Sequence, residues 1–371
     1  MKYDQNIVRL CEIAELNPKA VQDLEDQDLV SFLSMAAVTV GGETSAGESR
    51  PYSEVNRGYT AFENGDLLIA KITPCFENGK IAQARIANKY GFGSTEFHVV
   101  RPDSSQVNSR YLLYFLRQCS VRLAGARKMT GSAGHRRVPI SFFSDLQVFL
   151  PSLFEQNRIS EALAGLDGVR AKCRKALELL SELYESLFFN MFFNRDALGC
   201  EYPAVELGQL LKFKSGSFLP ASEMSSNGLY PVYGGNGTSG YHDEYMFDDP
   251  KIVIGRVGAY CGCVHMSSPF SWVTDNALYV SGLRDGLSVE YVYFALKYAN
   301  LNQYASKSGQ PLVSAGRLSR VKISVPPVEQ QQKFVNICRK LDSQVLLQRT
   351  RLNLLDSLFL SVQHRAFRGE L

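Results

Sequence analysis

Three groups of residues in this sequence have the types and spacing that do chemistry. Arg127-Lys128 and His135-Arg136-Arg137 flank a Gly-Ser-Ala-Gly loop at 131–134. Cations beside a stretch without bulky side chains let backbone and guanidinium groups approach a phosphate together. Pro231-Val232-Tyr233-Gly234-Gly235-Asn236-Gly237-Thr238-Ser239-Gly240-Tyr241 is a second, glycine-rich group. It lacks the Gly-Lys-Ser/Thr ending of a nucleotide-binding P-loop, and no long helix pattern follows it. Its glycines suit tight turns, or a place where backbone comes close to a ligand. Cys261-Gly262-Cys263-Val264-His265 is the third. Its alternation places three metal-ligand types on one face of a strand, but no second ligand pair stands at zinc-site spacing. The expectation is small residues in a strand and no metal. Asp275-Asn276 and Thr95-Glu96 precede strand patterns, where they could reach a substrate or form turns.

Charge distribution favours the first group. The net charge of the 371-residue chain is only +3. Yet no Asp or Glu occurs between Asp103 and Asp145, a stretch holding Arg110, Arg117, Arg122, Arg127, Lys128, His135, Arg136 and Arg137. The last helical pattern is also basic, with Lys333, Arg339, Lys340, Arg349, Arg351, Arg365 and Arg368. Clustered cations suit a phosphate-bearing partner, and they also occur as plain solvated faces. Hydrophobic residues make up 45% of the chain, enough for sizeable cores, and 21% are charged, which argues against wholesale disorder. No amino-terminal signal pattern and no apolar run of membrane-spanning length is present. With eight scattered cysteines, this reads as a soluble, cytoplasmic protein with reduced thiols and no membrane partner.

What positions these groups is an internal repeat. A constant offset of 175 residues brings Pro151 onto Pro326, Gln156 onto Gln331 and Leu166-Asp167 onto Leu341-Asp342. The same offset brings Leu177, Leu179, Leu180 and Leu183 onto Leu352, Leu354, Leu355 and Leu358, and Phe192 onto Phe367. Upstream, Gly134 matches Gly309 and Asp145–Val148 matches Arg320–Ile323. With slightly larger offsets Tyr111–Tyr114 matches Tyr291–Phe294, and Asp66–Lys71 matches Lys251–Arg256.

Each copy ends in a long helical pattern. Ile159, Leu163, Leu166, Arg170, Cys173, Leu177, Leu180, Tyr184, Leu187 and Met191 recur in alternating steps of four and three. So do Phe334, Cys338, Leu341, Val345, Gln348, Leu352, Leu355, Phe359, Val362 and Ala366. That 3.5-residue period is the seam of a coiled coil, about 48 Å long at 1.5 Å per residue. Bundle packing or dimerisation between chains would also use such a stripe. Pairing within the chain is the economical solution, and the intervening domain favours an antiparallel arrangement. Phe188, Phe189, Phe192 and Phe193 at the helix end suit core packing or a partner surface.

The expected fold is α+β: two similar globular domains separated by an antiparallel two-helix coiled coil, with pseudo-twofold symmetry. The boundaries are a first domain at 1–150, a spacer helix at 151–196, a second domain at 197–325 and a second spacer helix at 326–371. Leu67–Ile72, Ile81–Ile86, Phe97–Val100 and Leu146–Leu150 read as strands and Tyr111–Leu123 as a helix. In the second domain Lys251–Val257 and Ala277–Val280 read as strands and Val289–Ala299 as a helix.

The chain resembles the specificity subunit of Type I restriction–modification systems. Leu150-Pro151-Ser152-Leu153 with Glu155-Gln156, and Pro326-Pro327-Val328-Glu329-Gln330, resemble the starts of that family's two repeat helices. Ala366-Phe367-Arg368-Gly369-Glu370-Leu371 is similar to its carboxyl terminus. Tyr230–Tyr241 and Ile254-Gly255-Arg256-Val257-Gly258 resemble segments of its target-recognition domains. The resemblance spans nearly the whole length, and the first copy departs from it by lacking the double proline. It implies a non-catalytic subunit without cofactors. Each target-recognition domain would read one half of a split site in double-stranded DNA. The helices would set the spacing and dock two methyltransferase subunits, which methylate adenine, and a restriction/motor subunit would complete the complex. Half-sites one DNA turn apart, about 34 Å, lie within reach of such a rod. No Asn-Pro-Pro-aromatic or Asp-Pro-Pro-aromatic motif for holding adenine is present.

Base and phosphate contacts are expected from Lys71, Thr73, Lys128, His135, Arg136 and Arg137 in the first domain. In the second they are expected from Asn236, Thr238, Arg256, Lys307 and Gln310. Each could also be a turn or surface residue. Two other functions fit parts of the pattern: a coiled-coil interaction scaffold without DNA binding, and a single-chain nuclease or methyltransferase with a degenerate site. The basic stretch at 110–137 argues against the first and the missing motifs against the second.

Overall fold

The computed structural model describes residues 6–19, 24–132, 134–194, 199–200, 202–306 and 309–371. It divides into two compact units, 1–174 with 351–371, and 175–350. Each unit combines one globular lobe with the nearer parts of both long helices.

In the first unit a four-stranded antiparallel sheet runs in the order Ala14–Leu16, Phe97–Pro102, Leu67–Ala70, Ile81–Gln83. The second unit repeats it with Leu211–Ser215, Ala277–Leu283, Ile252–Gly255 and Val264–Met266. The registers agree: Leu68 opposes Val99 and Ile69 opposes His98, as Val253 opposes Tyr279 and Ile254 opposes Leu278. Every residue of Leu67–Ala70 and of Ile252–Gly255 is buried. Alternate side chains explain this. Leu67 and Ile69 face a core shared with helix Ser109–Leu116, while Leu68 faces a second core with Leu33, Phe62 and Val99. Ile252 and Ile254 likewise face the helix Val289–Tyr298, and Val253 packs with Val273 and Ala277. A strand covered on both sides reads as an unbroken apolar run.

The second sheet of each unit is mixed. Leu29–Leu33 pairs antiparallel with Glu48–Pro51 and parallel with Tyr90–Gly93, which also pairs with Thr60–Glu63. Tyr230–Gly234 pairs antiparallel with Gly237–His242 and parallel with Trp272–Val273. The chain between the first two strands is long in the first unit, 34–47, and a two-residue turn in the second.

Repeated polar contacts tie lobe to helix. Gln156 is buried; its Oε1 accepts from Asn108 N at 2.8 Å, and its Nε2 donates to the carbonyls of Gln106 and Pro151. Gln331 does the same with Ser288 N, Gly286 O and Pro326 O. Tyr111 Oη donates to Phe149 O at 2.6 Å and Tyr291 Oη to Ser324 O at 2.8 Å. Asn108 and Ser288 cap the two lobe helices through Tyr111 N and Tyr291 N.

The long helices are Leu153–Phe192 and Val328–Ala366, each beginning just after its proline signal. In the first unit Ile159 and Leu163 share a core with Phe359 and Ala366, and Arg170 Nε bonds Asp356 at 2.6 Å. In the second Tyr184 Oη donates to Asp342 at 2.7 Å, and Phe188 and Phe192 pack on Phe334. Within either unit, rising numbers on one helix meet falling numbers on the other, so the pairing is antiparallel. Every residue of both seams is buried or half-buried. The polar exception Arg170 is met by Asp167 and Asp356 and lies 4.3 Å over the Phe359 ring. Among the described residues no helix is long and apolar enough to cross a membrane.

Two expectations need correction. Tyr111–Leu123 is not one helix: Ser109–Leu116 ends at Arg117, and Cys119–Arg127 starts again after Gln118 takes an extended conformation. Cys261–His265 is not one strand: Gly262 sits at φ +85°, so only Val264–Met266 is extended, and the two cysteines lie in the turn before it. Of the two readings of the phenylalanine run, core packing is the one observed: Phe188 and Phe192 are buried, with Phe189 and Phe193 half-buried against the same cluster. These rings anchor the helix to its lobe.

Candidate nucleic-acid interface

In each unit two loops are laced together by the same backbone hydrogen bonds. In the first, Thr73 N donates to Arg136 O and Val138 N to Lys71 O, both at 2.9 Å, and Ile72 bridges Arg137. Lys71 N donates to Glu96 O. In the second, Gly258 N donates to Pro311 O, Val313 N to Arg256 O and Arg256 N to Asn276 O, and Val257 bridges Leu312. The position-by-position correspondence makes this a duplicated platform: strand end, turn, and a returning loop that precedes a short helix.

All six expected residues of the first unit gather here. Lys71 and Thr73 leave the strand end, while His135, Arg136 and Arg137 sit on the returning loop. Lys128 closes helix Cys119–Arg127, two residues before Thr130, which exchanges both backbone bonds with Arg137. Lys128, His135, Arg136 and Arg137 are exposed, and Lys71 and Thr73 half-buried. Gly131 takes φ +117° and its Cα lies so close to the His135 carbonyl that a side chain would not fit.

The arginines are not free. Arg137 binds Glu96 in a fork, Nη2 to Oε1 at 2.6 Å and Nε to Oε2 at 2.9 Å. The guanidinium holds the Glu96 carboxyl below its ordinary range. Arg136 lies 4.0 Å from Glu77 Oε1, which accepts from Thr73 Oγ1 at 2.8 Å. Glu77 Oε2 is buried without a partner. Beneath the loop, buried His98 bonds the Val138 carbonyl through Nε2 at 2.9 Å, and burial lowers its pKa. Glu77 and His98 were not singled out from sequence; they are distant in sequence and only folding brings them under the loop.

The second platform brings together Arg256 and Gln310 but not the rest. Arg256 Nη1 donates to Ser215 Oγ at 3.2 Å, and its Nε is buried with no partner. Gln310 is exposed, its Nε2 beside Gly258. Gly255 packs against the carbonyls of Tyr260 and Gly235, leaving no room for a side chain. Tyr260, exposed on the turn, is a missed candidate whose signal was the Ile254–Tyr260 glycine-bounded turn. Asn236 and Thr238 instead line a separate cavity of about 660 Å³ with His265, Glu290, Phe294 and Arg339. Lys307 lies outside the described residues.

The long helices carry a second duplicated feature. Leu179 and Leu183 in the second unit are 52% and 47% exposed. Their repeat partners Leu354 and Leu358 in the first are 67% and 49% exposed. Each unit thus leaves a pair of leucines, one helical turn apart and off the seam, exposed at matching repeat positions. Among the described residues no group of three or more metal-ligating side chains occurs.

A family model described as Type I restriction modification DNA specificity domain matches residues 7–179 and again 201–357. The chain is 38% identical over 184 residues to the Type I restriction enzyme EcoAI specificity subunit of Escherichia coli. That match covers 48% of this chain and 31% of that protein. It is 35% identical over 196 residues to the EcoEI specificity subunit of the same organism, covering 51% of this chain and 33% of that one. These alignments therefore span about a third of either relative. In fold it is similar to the crystal structure of the Type I restriction–modification S subunit from M. genitalium. The TM-score there is 0.63 at 18% identity, covering 99% of this chain and 98% of that one.

Proposed function

The chain belongs to the family of the Type I restriction modification DNA specificity domain, and from that premise we propose that it is a DNA-recognition subunit, itself without catalytic activity, that reads a split site in double-stranded DNA. Each unit reads one half through its two-loop platform. Lys71, Thr73, Lys128, His135, Arg136 and Arg137 contact the first half, and Arg256 and Gln310 the second, with Asn236, Thr238 and Lys307 as flanking contacts. The domains follow the boundaries 1–150 and 197–325, with helices 151–196 and 326–371 setting the gap between half-sites. Two methyltransferase subunits dock on the exposed leucines of the helices, one per repeat copy, and methylate adenine. A restriction/motor subunit joins them, and the complex works in the cytoplasm.

The observation that carries this reading is the duplicated platform, whose shared backbone hydrogen bonds hold exposed polar and basic side chains in both copies. Co-expression with the methyltransferase encoded beside it, followed by mapping of methyladenine, tests it. The expected result is a motif of two specified parts separated by a fixed, unspecified gap. A continuous motif, or methylation independent of this chain, would overturn it.

A further inference from the structure

The first unit holds a cavity of about 640 Å³ where the lobe meets the long helix, lined on one side by the segment Val40–Glu43. Arg85, Arg110, Arg117, Arg170 and Arg174 line it, against two carboxylates, Glu43 and Asp167. Asp167 is shared: Arg170 bonds it at 2.5 Å and Arg117 reaches it at 3.5 Å, with a further bond from Arg117 to Val40 O at 3.0 Å. Asp356, outside the lining, binds Arg170 at 2.6 Å and lies 3.5 Å from Arg174. Arg85 and Arg110 are exposed and make no ion pair among the described residues. Guanidinium groups gathered on a concave surface repel one another and focus a positive potential into the space between them.

The second unit shows that the fold does not require this. Its corresponding cavity, about 660 Å³, has Glu290 at the position of Arg110, and Glu290 is paired with Arg339 at 2.7 Å. Lys297 stands for Arg117 and lies over the rings of Tyr293, Phe294 and Tyr298. Val345 replaces Arg170. Asp342 and Arg349 are kept at the positions of Asp167 and Arg174. One scaffold thus builds a nearly balanced cavity once and an arginine-rich one once.

We propose that the arginine-lined cavity of the first unit is a phosphate-binding site. Arg suits this ligand because its planar fork matches phosphate oxygens and stays charged at all physiological pH. Arg85 and Arg110 are the groups free to close on the phosphate, and Arg117, Arg170 and Arg174 supply the surrounding field. The phosphate comes either from the DNA backbone or from a free phosphorylated molecule. The site stands on this cavity's charge and not on the loop platforms, so platform variants that lose DNA binding leave it untouched.

Titration of pyrophosphate into the full chain at low ionic strength, followed by calorimetry, tests the site. Wild type should bind, Arg85→Ala with Arg110→Glu should bind at least ten-fold more weakly, and Arg349→Ala in the second cavity should bind as wild type does. Arg110→Lys should restore part of the loss relative to Arg110→Glu. The exposed positions keep the variants folded, which circular dichroism checks. No pyrophosphate binding, or binding equal in wild type and the double variant, overturns the proposal. Duplex binding of the same variants identifies the source. A salt slope reduced by about two marks the DNA backbone. Unchanged duplex binding with pyrophosphate lost marks a free phosphorylated ligand.

Discussion

The two loop platforms share a backbone and little else. Lys71–Thr73 against Arg136–Val138 and Arg256–Gly258 against Pro311–Val313 make the same hydrogen bonds. The first then displays four exposed basic groups, two of its arginines shadowed by Glu77 and Glu96. The second displays one arginine without a carboxylate partner, a glutamine and an exposed tyrosine. Where the frame is constant and the side chains diverge, the frame serves folding and the side chains choose what is bound. Under the proposed function, that separation would let one fold read two different half-sites within one chain.

The largest expected effect tests the constant part. Gln156→Leu strips partners from one part-buried N–H and two carbonyls, and Gln331→Leu does the same in the other unit. At about 1–3 kcal/mol for each orphaned group, either variant should lose about 3 kcal/mol or more in urea unfolding. A large loss in one unit and none in the other would show that the lobes are not energetic copies.

Next come the diverged side chains. Arg136→Ala with Arg137→Ala should weaken binding to a methylation-mapped duplex by about 30-fold or more, at about 1–3 kcal/mol for each of the two contacts. Arg256→Ala should weaken it by about 10-fold on the same scale. Fluorescence anisotropy at fixed salt measures both. Unchanged affinity in the double variant would remove the first platform from the interface.

How much of this was legible in the sequence follows the same division. The repeat marked out the frame because frame positions are constrained twice: Pro151 with Pro326 and Gln156 with Gln331 do identical work in both copies. The 3.5-residue seams were readable because burial follows spacing along a single helix. Side-chain partnerships were not. Glu96 reaches Arg137 across 41 positions, and nothing local to either residue announces the pair. Asn236 and Thr238 fell on the cavity side of their hairpin because a two-residue turn replaces the long 34–47 segment of the first copy, a change of loop length that pattern matching passes over. Gln118 broke a periodic helix by its backbone conformation alone.

A smaller effect sharpens the contrast in charge. Glu96 occupies the fork of Arg137, so under the proposed function DNA would have to displace it to reach that guanidinium. Glu96→Gln keeps the shape and removes the charge. Affinity for a duplex lacking the motif should rise a few-fold, with the salt slope steeper by up to about 0.9 for one added phosphate contact. No equivalent variant exists in the second unit, where Ser215 is the partner of Arg256. A fall in nonspecific affinity would mean that Glu96 orients Arg137 for reading rather than restraining it.

The smallest effect concerns the histidine under the first platform. His98 is buried against Val138, and burial lowers its pKa from the ordinary 6.5. The unfolded chain therefore takes up a proton first as pH falls. The stability contributed by neutral His98 is fully present above pH 6.5 and is lost as pH drops through the lower folded-state value. His265 in the second unit is also lowered by burial, so both units should weaken on acidification. His98 stands on the strand where the second unit has Leu278, opposite Ile69 as Leu278 is opposite Ile254. His98→Leu places the second unit's residue in the first unit's sheet. Hydrogen exchange at pH 7.5 and 5 should then show the acid weakening abolished in Leu67–Ala70 and Phe97–Pro102 and retained in Ile252–Gly255. Acid sensitivity of the first unit that survives the substitution would show that His98 is not its source, since Glu96, held below its ordinary 4.5 by Arg137, stays ionised at pH 5.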